Sequence, residues 1–207
     1  MTDTVSVVAA DRRISAILES IRRTFAAKGF DGASMQDLAR AADMSVGNFY
    51  RYFPSKAAII DAMISRDLDE IERDFAAIIE AADPMEHLRA TLQHRISNEV
   101  CSEDGPMMAE ITAVALRRPE IAQVVARMEM VITQYLLSVF ARVTDLDMAE
   151  VVQRFTAHAG LIMMLIKGCA MAPRTGGATE SDLAALVLRT VDSVLAEVSG
   201  AKAKGSV

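Results

Sequence analysis

Apolar residues recur along this chain three or four positions apart, which is the spacing of one face of an α-helix. The first such run consists of Ile14, Ile17, Leu18, Ile21 and Phe25. It predicts a helix that begins near residue 10 and ends at Gly29, preceded by a loose arm over residues 1–8. Similar runs continue to residue 200, and none of them alternates as a β-strand does. The pattern therefore predicts an all-α protein of about nine helices.

Two short helices follow the first one, and capping residues mark their starts. Ser34 and Asp37 have the spacing of a capping box, in which the serine hydroxyl accepts a free N–H of the first turn. Ser45 takes the same capping position before a helix predicted over residues 46–52. Asp43 lies between the two helices, and aspartate tolerates the left-handed backbone that a tight turn requires.

The second short helix has two unlike faces. Phe49 and Phe53 are four residues apart, so both rings are predicted to pack on one side against neighbouring helices. The remaining residues of this helix are Val46, Gly47, Asn48, Tyr50 and Arg51. A short helix with these side chains facing outward has the size and the chemistry to enter the major groove of DNA.

The later helices also carry start signals. Their predicted starts are Ser55, Asp83, Gly105, Arg118, Asp147 and Thr179. Proline in the first turn supports three of these starts, and a capping box of Asp147 with Glu150 supports the eighth helix. The last helix is predicted to end at Gly200, and residues 201–207 are expected to form a disordered tail.

The segment LARAADMSVGNFYRYFPSK, which ends at Lys56, resembles the helix-turn-helix signature of the TetR family of transcriptional regulators. That signature is usually L-A-x-x-A-G-V-S-x-G-x-[LIF]-Y-x-[HY]-F-x-[SN]-K. This chain departs from it at Ala41, Asp43 and Val46, where glutamate, glycine and a polar or basic residue are common. The resemblance covers about residues 10–60, and the departure at Val46 leaves the base preference open.

The resemblance implies a three-helix DNA-binding head over residues 1–54 and a larger helical domain for ligand binding and dimerisation over residues 55–200. It implies that a dimer binds a palindromic operator in double-stranded DNA. The residues that it places at base edges are Gln36, Val46, Gly47 and Asn48. The phosphate contacts that it implies are Ser34, Tyr50, Arg51, Tyr52 and Lys56, and Ser45 belongs to the same DNA-binding set. The alternative for Tyr50 and Tyr52 is that they only pack.

The charge distribution agrees with a chain of which only the head meets phosphate. The formal net charge is −6, but residues 1–56 carry 8 Lys and Arg against 6 Asp and Glu, a net of +2. Residues 57–207 carry a net of −8. A composition with 52% hydrophobic but only 5% aromatic residues favours helices over a β-sandwich.

The sequence favours a reducing cytoplasm. Two cysteines give no disulfide framework, and the N-terminus lacks the charged and apolar regions of a signal peptide. The most apolar stretch, residues 155–173, contains His158 and Lys167, so a buried helix is predicted there rather than a membrane span.

The last two predicted helices are apolar over more than one face. Residues 147–171 and 180–198 present more apolar surface than one core requires. They are predicted to pair with the same two helices of a second chain, as the family resemblance also implies. The alternative is that both helices are buried within one chain.

The fifth helix has an uncharged face made of His87, Thr91, His94, Asn98 and Cys101. This face either lines a ligand cavity or is a partly solvated surface, and both alternatives stay open. His87, His94 and Cys101 recur every seven residues, a rise of about 10.5 Å, which is too far for neighbouring members to share one metal ion. No metal site and no cofactor are expected.

The chain contains thirteen methionines, whose flexible side chains suit an adaptable apolar pocket but also fill ordinary cores. The resemblance places a ligand pocket on the helices that carry Met107, Met108 and Met128, and Tyr135 is added to this set. A small-molecule effector, apolar or amphiphilic, is the predicted ligand.

Enzyme motifs are missing from the sequence: it has no G-x-S-x-G elbow, Gly-rich phosphate loop, H-E-x-x-H or C-x-x-C. The chain is therefore predicted to be a ligand-responsive repressor and not an enzyme. One alternative is a small-molecule carrier whose head only packs. Another is a regulator without a ligand, controlled by oxidation of Cys101 or by a protein partner.

Overall fold

The protein is described from a computed structural model that covers residues 2–101, 105–172 and 178–201. Side chains are described for residues 13–97, 107–172 and 181–201. The helices of these residues are α1 (Thr2–Gly32), α2 (Met35–Ala41), α3 (Val46–Tyr52), α4 (Lys56–Glu80), α5 (Pro84–Cys101), α6 (Gly105–Ala115), α7 (Pro119–Thr144), α8 (Met148–Met171) and α9 (Ala178–Gly200). The described residues contain no strand, so the all-α prediction is confirmed.

The first helix differs from its prediction at its start. It begins at Thr2, so the prediction of a loose arm over residues 1–8 is wrong. Residues 2–9 contain neither glycine nor proline, and nothing in them breaks a helix. Gly29 breaks α1 as predicted, because its φ of 71° and ψ of 165° are not helical. The Phe30 ring then stacks on Phe25, with 5.5 Å between the ring centroids.

The later helices begin within one or two residues of their predicted starts. Asp147 caps α8, since its side chain accepts the backbone N–H of Glu150. Thr179, predicted as a cap, lies one residue inside α9. The predicted disordered tail covers residues 201–207. Residue 201 is described, whereas residues 202–207 lie outside the described part of the chain.

The chain divides into two compact units. The first unit is Met1–Ser65 with Pro106–Val125, and the second is Arg66–Gly105 with Ala126–Val207. The first unit therefore joins two separate stretches of sequence. The boundary at residue 54 between a DNA-binding head and a larger domain stays a prediction.

The core of the first unit begins with the stripe on α1. Leu18, Ile21 and Phe25 are buried, whereas Ile14, at the start of the same stripe, is 42% exposed. Phe30, also within α1, is buried too, and the other elements of this unit bury Leu38, Phe49, Ile59, Ile60, Met63, Ile111, Val114 and Ile121. The short helices α2 and α3 thus share a core to which six helices contribute.

The core of the second unit centres on α5, which packs against both α8 and α9. Leu88 and Ile96 of α5 are fully buried. Phe140 of α7 meets Phe155 of α8 edge-on at 6.1 Å between ring centroids. These contacts make one continuous apolar cluster within the unit.

Helix α7 is long and apolar enough to cross a membrane by length and composition alone, with a mean hydropathy of 1.4 over its most apolar window. Core helices of soluble proteins pass the same test. Leu136, Leu137, Val139 and Phe140 of α7 are buried in the cluster of the second unit.

Candidate nucleic-acid interface

The predicted capping box at the start of α2 is present. The Ser34 hydroxyl accepts the backbone N–H of Asp37 at 3.1 Å, and the backbone N–H of Ser34 donates to Asp37 Oδ2 at 3.0 Å. Lys28 Nζ lies 2.8 Å from Asp37 Oδ1 and ties the end of α1 to this turn. Hydrogen bonds from Lys28, and then from Ser34, hold the pKa of the Asp37 carboxyl well below its usual range.

The turn between α2 and α3 has the hydrogen bonds of a Schellman motif. The Met44 N–H donates to Ala39 O at 2.9 Å, and the Asp43 N–H donates to Arg40 O at 3.1 Å. Asp43 has a φ of 51°, so it takes the left-handed position that the family signature gives to glycine. The predicted conformation of Asp43 is thus confirmed, and its exposed carboxylate is a feature of this chain.

Helix α3 is held from one side, as predicted. Phe49 is fully buried and its ring centroid lies 5.3 Å from that of Phe53. Ser45 caps the helix by accepting the backbone N–H of Asn48 at 3.4 Å. The residues of the DNA-binding set that α3 exposes to solvent are Val46, Gly47, Asn48, Tyr50, Arg51 and Tyr52.

The two tyrosines of α3 are largely outside the core. Tyr50 is 46% exposed and Tyr52 is 61% exposed. The Tyr52 ring centroid lies 6.4 Å from that of Phe53, so this ring packs in part and exposes the rest. Both phenols are therefore accessible to a ligand outside the chain.

Gly47 faces open space. A Cβ built on this glycine has no heavy atom within 4 Å beyond its own helix backbone and chain neighbours. The absence of a side chain at Gly47 therefore serves no packing within the described residues, and it leaves room for the close approach of another molecule.

A groove of about 430 Å³ lies beside the turn, between α2 and the start of α3. It is lined by Gln36, Arg40, Asp43, Met44, Ser45 and Val46. Gln36, Ser45 and Val46 had been placed in the DNA-binding set, and the structure brings them together here. Arg40 had been missed, although its spacing of four residues from Gln36 puts both on one face of α2.

Lys56, the first residue of α4, has partners within the chain. Its Nζ donates to Phe30 O at 2.5 Å and to Asp31 O at 3.2 Å, and lies 5.2 Å from the centroid of the Phe30 ring. The side chain is half-buried, and this burial lowers the pKa of the ammonium group. The motif had predicted a phosphate contact here but carried no sign of these carbonyl contacts.

The residues predicted to bind a small molecule do not all meet. His87, Thr91 and His94 line one groove of about 590 Å³ on the second unit. The groove also contains the carboxylate residues Asp74, Asp83 and Glu86. His87 and His94 are exposed, so this groove is open to solvent in the single chain. Its neighbouring carboxylates make it acidic rather than neutral.

The other members of that set belong to both units. Met107 and Met108 belong to the first unit, whereas Met128 and Tyr135 belong to the second. Met107 and Met128 are buried, and the Tyr135 ring stacks on Phe75 at 5.3 Å between centroids. The side chains of Asn98 and Cys101 lie outside those that the structure describes. Among described side chains, no group of three His, Cys, Asp or Glu is placed to hold a metal ion.

Comparison with known proteins identifies the N-terminal part. Residues 17–63 match the family model of bacterial regulatory proteins of the tetR family. The chain is 28% identical over 119 residues to the HTH-type transcriptional regulator UidR of Escherichia coli K12, an alignment that covers 58% of this chain. The match spans 60% of the length of UidR.

Solved structures share the fold over most of the chain. GusR of Salmonella enterica superposes with a TM-score of 0.69 and 23% identity, covering 89% of this chain and 96% of its own. AibR, solved in complex with isovaleryl coenzyme A and operator DNA, has a TM-score of 0.62 and 20% identity. That superposition covers 86% of this chain and 97% of AibR. Together with the motif and its capped helix-turn-helix geometry, the family-model match identifies residues 17–63 as the DNA-binding helix-turn-helix region of a TetR-family transcriptional regulator, and the solved structures show that the rest of the chain shares their fold.

Proposed function

We propose that this regulator is a repressor that binds a palindromic operator as a homodimer and is released by an apolar or amphiphilic small molecule. The observation that carries the DNA-binding part is the outward face of α3. Phe49 anchors the helix from below, while Val46, Asn48 and Tyr50 face solvent. Buried anchors and an exposed polar face are what a recognition helix needs to enter the major groove as a rigid body.

Base recognition is proposed for the residues of α2 and α3 at and beside the groove between these helices. Asn48 and Gln36 carry amides, which pair bidentately with adenine, and Val46 offers methyl groups to the methyl of thymine. Gly47, with open space where a side chain would be, allows the helix backbone to approach the base edges. These roles make Gln36, Val46, Gly47 and Asn48 the source of sequence preference.

Phosphate contacts are proposed for the exposed residues that surround the base-reading set. Tyr50, Arg51 and Tyr52 are exposed hydrogen-bond donors on α3, and Ser34, whose hydroxyl donates to Asp37 in the free chain, is exposed at the start of α2. Arg40 joins them, because its guanidinium lines the same groove as Gln36 and Val46. Such contacts set the register of the protein on DNA and make binding dependent on salt.

Dimerisation is proposed through α8 and α9. Both helices expose large apolar side chains: Val152, Leu161, Met164, Met171, Leu183 and Leu186. Met164 is 70% exposed, and the helix also presents Gly160 and Gly168 on its open side. Large exposed apolar side chains concentrated on two helices are typical of a protein–protein interface, and small residues let two helices approach closely.

The chemical class of the effector is proposed from two observations, the residues of the second unit and the ligand of a regulator with the same fold. AibR was solved with an acyl coenzyme A bound, which is an amphiphilic molecule. In this chain, His87, Thr91 and His94 offer polar groups in one groove, and Met128 offers a deformable apolar side chain. We infer an effector with an apolar part, bound with different affinity by the DNA-competent and DNA-released conformations.

Selection of bound duplexes from a random DNA pool, sequenced after binding at physiological salt, tests the proposal. An enriched inverted repeat is the expected result, and Asn48→Ala should lose preference at one symmetric pair of positions. Enrichment of a single half-site would contradict the dimer. A folded protein that enriches nothing would favour the small-molecule carrier, or a regulator that needs its ligand before it binds DNA.

A further inference from the structure

The end of α1 is held by a residue that is eighty positions away in sequence. At Gly29 the backbone leaves the helical conformation with a φ of 71°. The N–H of the next residue, Phe30, donates to Glu110 Oε1 of α6 at 2.7 Å. A carboxylate therefore satisfies a backbone donor at the point where the helix is broken.

Gly29 and Glu110 also fit each other sterically. A Cβ built on Gly29 would lie 3.2 Å from Glu110 Oε1, which is tighter than most such contacts. The positive φ favours glycine at this position, and an added Cβ would in addition crowd the Glu110 carboxylate.

The next residue, Asp31, is held from the same side of the unit. Arg118, just before α7, places a guanidinium nitrogen 2.7 Å from Asp31 Oδ1. The same guanidinium lies 5.6 Å from the Phe30 ring centroid, and Lys56 lies 5.2 Å from that centroid. Phe30 and Asp31 are therefore fixed by a carboxylate and by two cations from three other elements.

This junction leads directly into the DNA-binding surface. Ser34, the cap of α2, follows Asp31 by three residues, and Gln36 follows within the first turn of that helix. The direction in which α2 leaves the junction sets where both side chains point. Glu110 and Arg118 come from Pro106–Val125, the second stretch of sequence in the first unit.

We propose that Glu110 and Arg118 are positioning residues for DNA binding, so the DNA-binding unit is discontinuous and includes the stretch around α6. This inference rests on the proposed operator binding. Neither residue contacts DNA in this scheme. They act by holding Phe30 and Asp31, and through them the start of α2, in the conformation that matches the DNA backbone.

The test compares substitutions that keep the contact with substitutions that remove it. Glu110→Gln retains an oxygen that accepts the Phe30 N–H, whereas Glu110→Ala leaves that N–H without an acceptor. Operator affinity is expected to fall about tenfold in Glu110→Ala and less than about threefold in Glu110→Gln, in line with the loss of one charge-assisted hydrogen bond. The dependence of affinity on salt should stay as in the wild type, because no phosphate contact is lost.

Glu19→Ala is the matched control for charge. It removes an exposed carboxylate from the same unit, where Glu19 pairs with Arg23 four residues along α1. Arg118→Ala and Arg118→Lys form a second pair, with Arg117→Ala as its control, since Arg117 lies 3.9 Å from Asp31 and holds it more weakly. Arg118→Ala should weaken binding more than Arg117→Ala, and Arg118→Lys should recover most of the loss.

Affinity for the selected operator is measured for each full-length protein, together with its thermal unfolding. If the wild type binds no DNA, the proposed function itself fails. If the wild type binds and Glu110→Ala behaves as Glu19→Ala does, the positioning role is overturned. If Glu110→Ala does not fold, the Arg118 series decides, because that side chain is exposed at the surface. Equal losses in Arg118→Ala and Arg117→Ala would then overturn it.

Discussion

Lys28 Nζ and Asp37 Oδ1 lie 2.8 Å apart, which joins the last regular turn of α1 to the first turn of α2. The same carboxylate accepts the backbone N–H of Ser34 at 3.0 Å and the Ser34 hydroxyl at 2.6 Å. The Asp37 carboxylate thus fixes the start of α2 by bonding Ser34, the cap of the same helix, and by pairing with Lys28 of α1.

This carboxylate predicts a pH dependence of stability. The pKa of Asp37 is lower in the folded chain than the unfolded value of about 3.9. The stabilisation of the folded chain by the ionised Asp37 carboxylate is therefore fully present above about pH 4. It is lost as the pH falls through the lower pKa of the folded state. The free energy of urea unfolding should differ between wild type and Asp37→Asn at pH 7, and this difference should shrink at pH 3.

The same comparison at higher salt concentration is the control for that prediction. The side chains of Lys28 and Asp37 are in part exposed to solvent, so added salt should weaken their attraction at pH 7. A difference between wild type and Asp37→Asn that is constant with pH would mean that the carboxylate adds nothing in its ionised form.

Gly47→Ala should separate stability from DNA binding. The added methyl group meets open space within the chain and raises the helix propensity of α3, so stability should rise by roughly 0.5–1 kcal/mol. Operator affinity should fall, because the same methyl group lies between α3 and the base edges in the proposed complex. Thermal unfolding and operator titration on the same samples measure both effects. Unchanged affinity in the stabilised variant would remove Gly47 from the interface.

Lys56→Ala should weaken binding to the operator and to an unrelated duplex alike. A phosphate contact carries no sequence information, and its loss reduces the slope of log affinity against log salt by about 0.9. The structure adds a second expectation, a lower melting temperature, because Lys56 Nζ also bonds the carbonyls of Phe30 and Asp31. Titrations at several salt concentrations distinguish the two roles. An unchanged slope with a lower melting temperature would mean that Lys56 only holds the α1–α2 junction.

Met164→Glu should convert the proposed dimer into a monomer. Met164 is 70% exposed in the single chain, and a carboxylate at that position would be desolvated in the proposed interface of α8 and α9. Met130→Glu is the matched control, since Met130 is 56% exposed on α7. Sedimentation velocity at micromolar concentration should give a monomer for the first variant and a dimer for the second. Two dimers would show that Met164 lies outside the interface.

Local sequence signals were sufficient for the helix-turn-helix itself. The capping box at Ser34, the left-handed Asp43 and the anchoring pair Phe49 and Phe53 were all predicted from residues within four positions of one another. Each is a contact between near neighbours in sequence, so helical geometry alone specifies it. The predicted start of α1 was wrong. The prediction began where the apolar stripe begins, but a helix can extend beyond its stripe, as α1 does over residues 2–9.

The sequence by itself determined the helices, their caps and the family signature, because these depend on local backbone preference and on the identity of nearby residues. Only the tertiary structure decided that Lys56 bonds the carbonyls of Phe30 and Asp31, and that Glu110 accepts the Phe30 N–H. Only the tertiary structure, too, placed Arg40 in one groove with Val46. The contacts of Lys56 and Glu110 join distant parts of the chain, and the groove depends on how the turn sets α3 against α2. Both depend on how the helices pack, which spacing along the sequence does not specify.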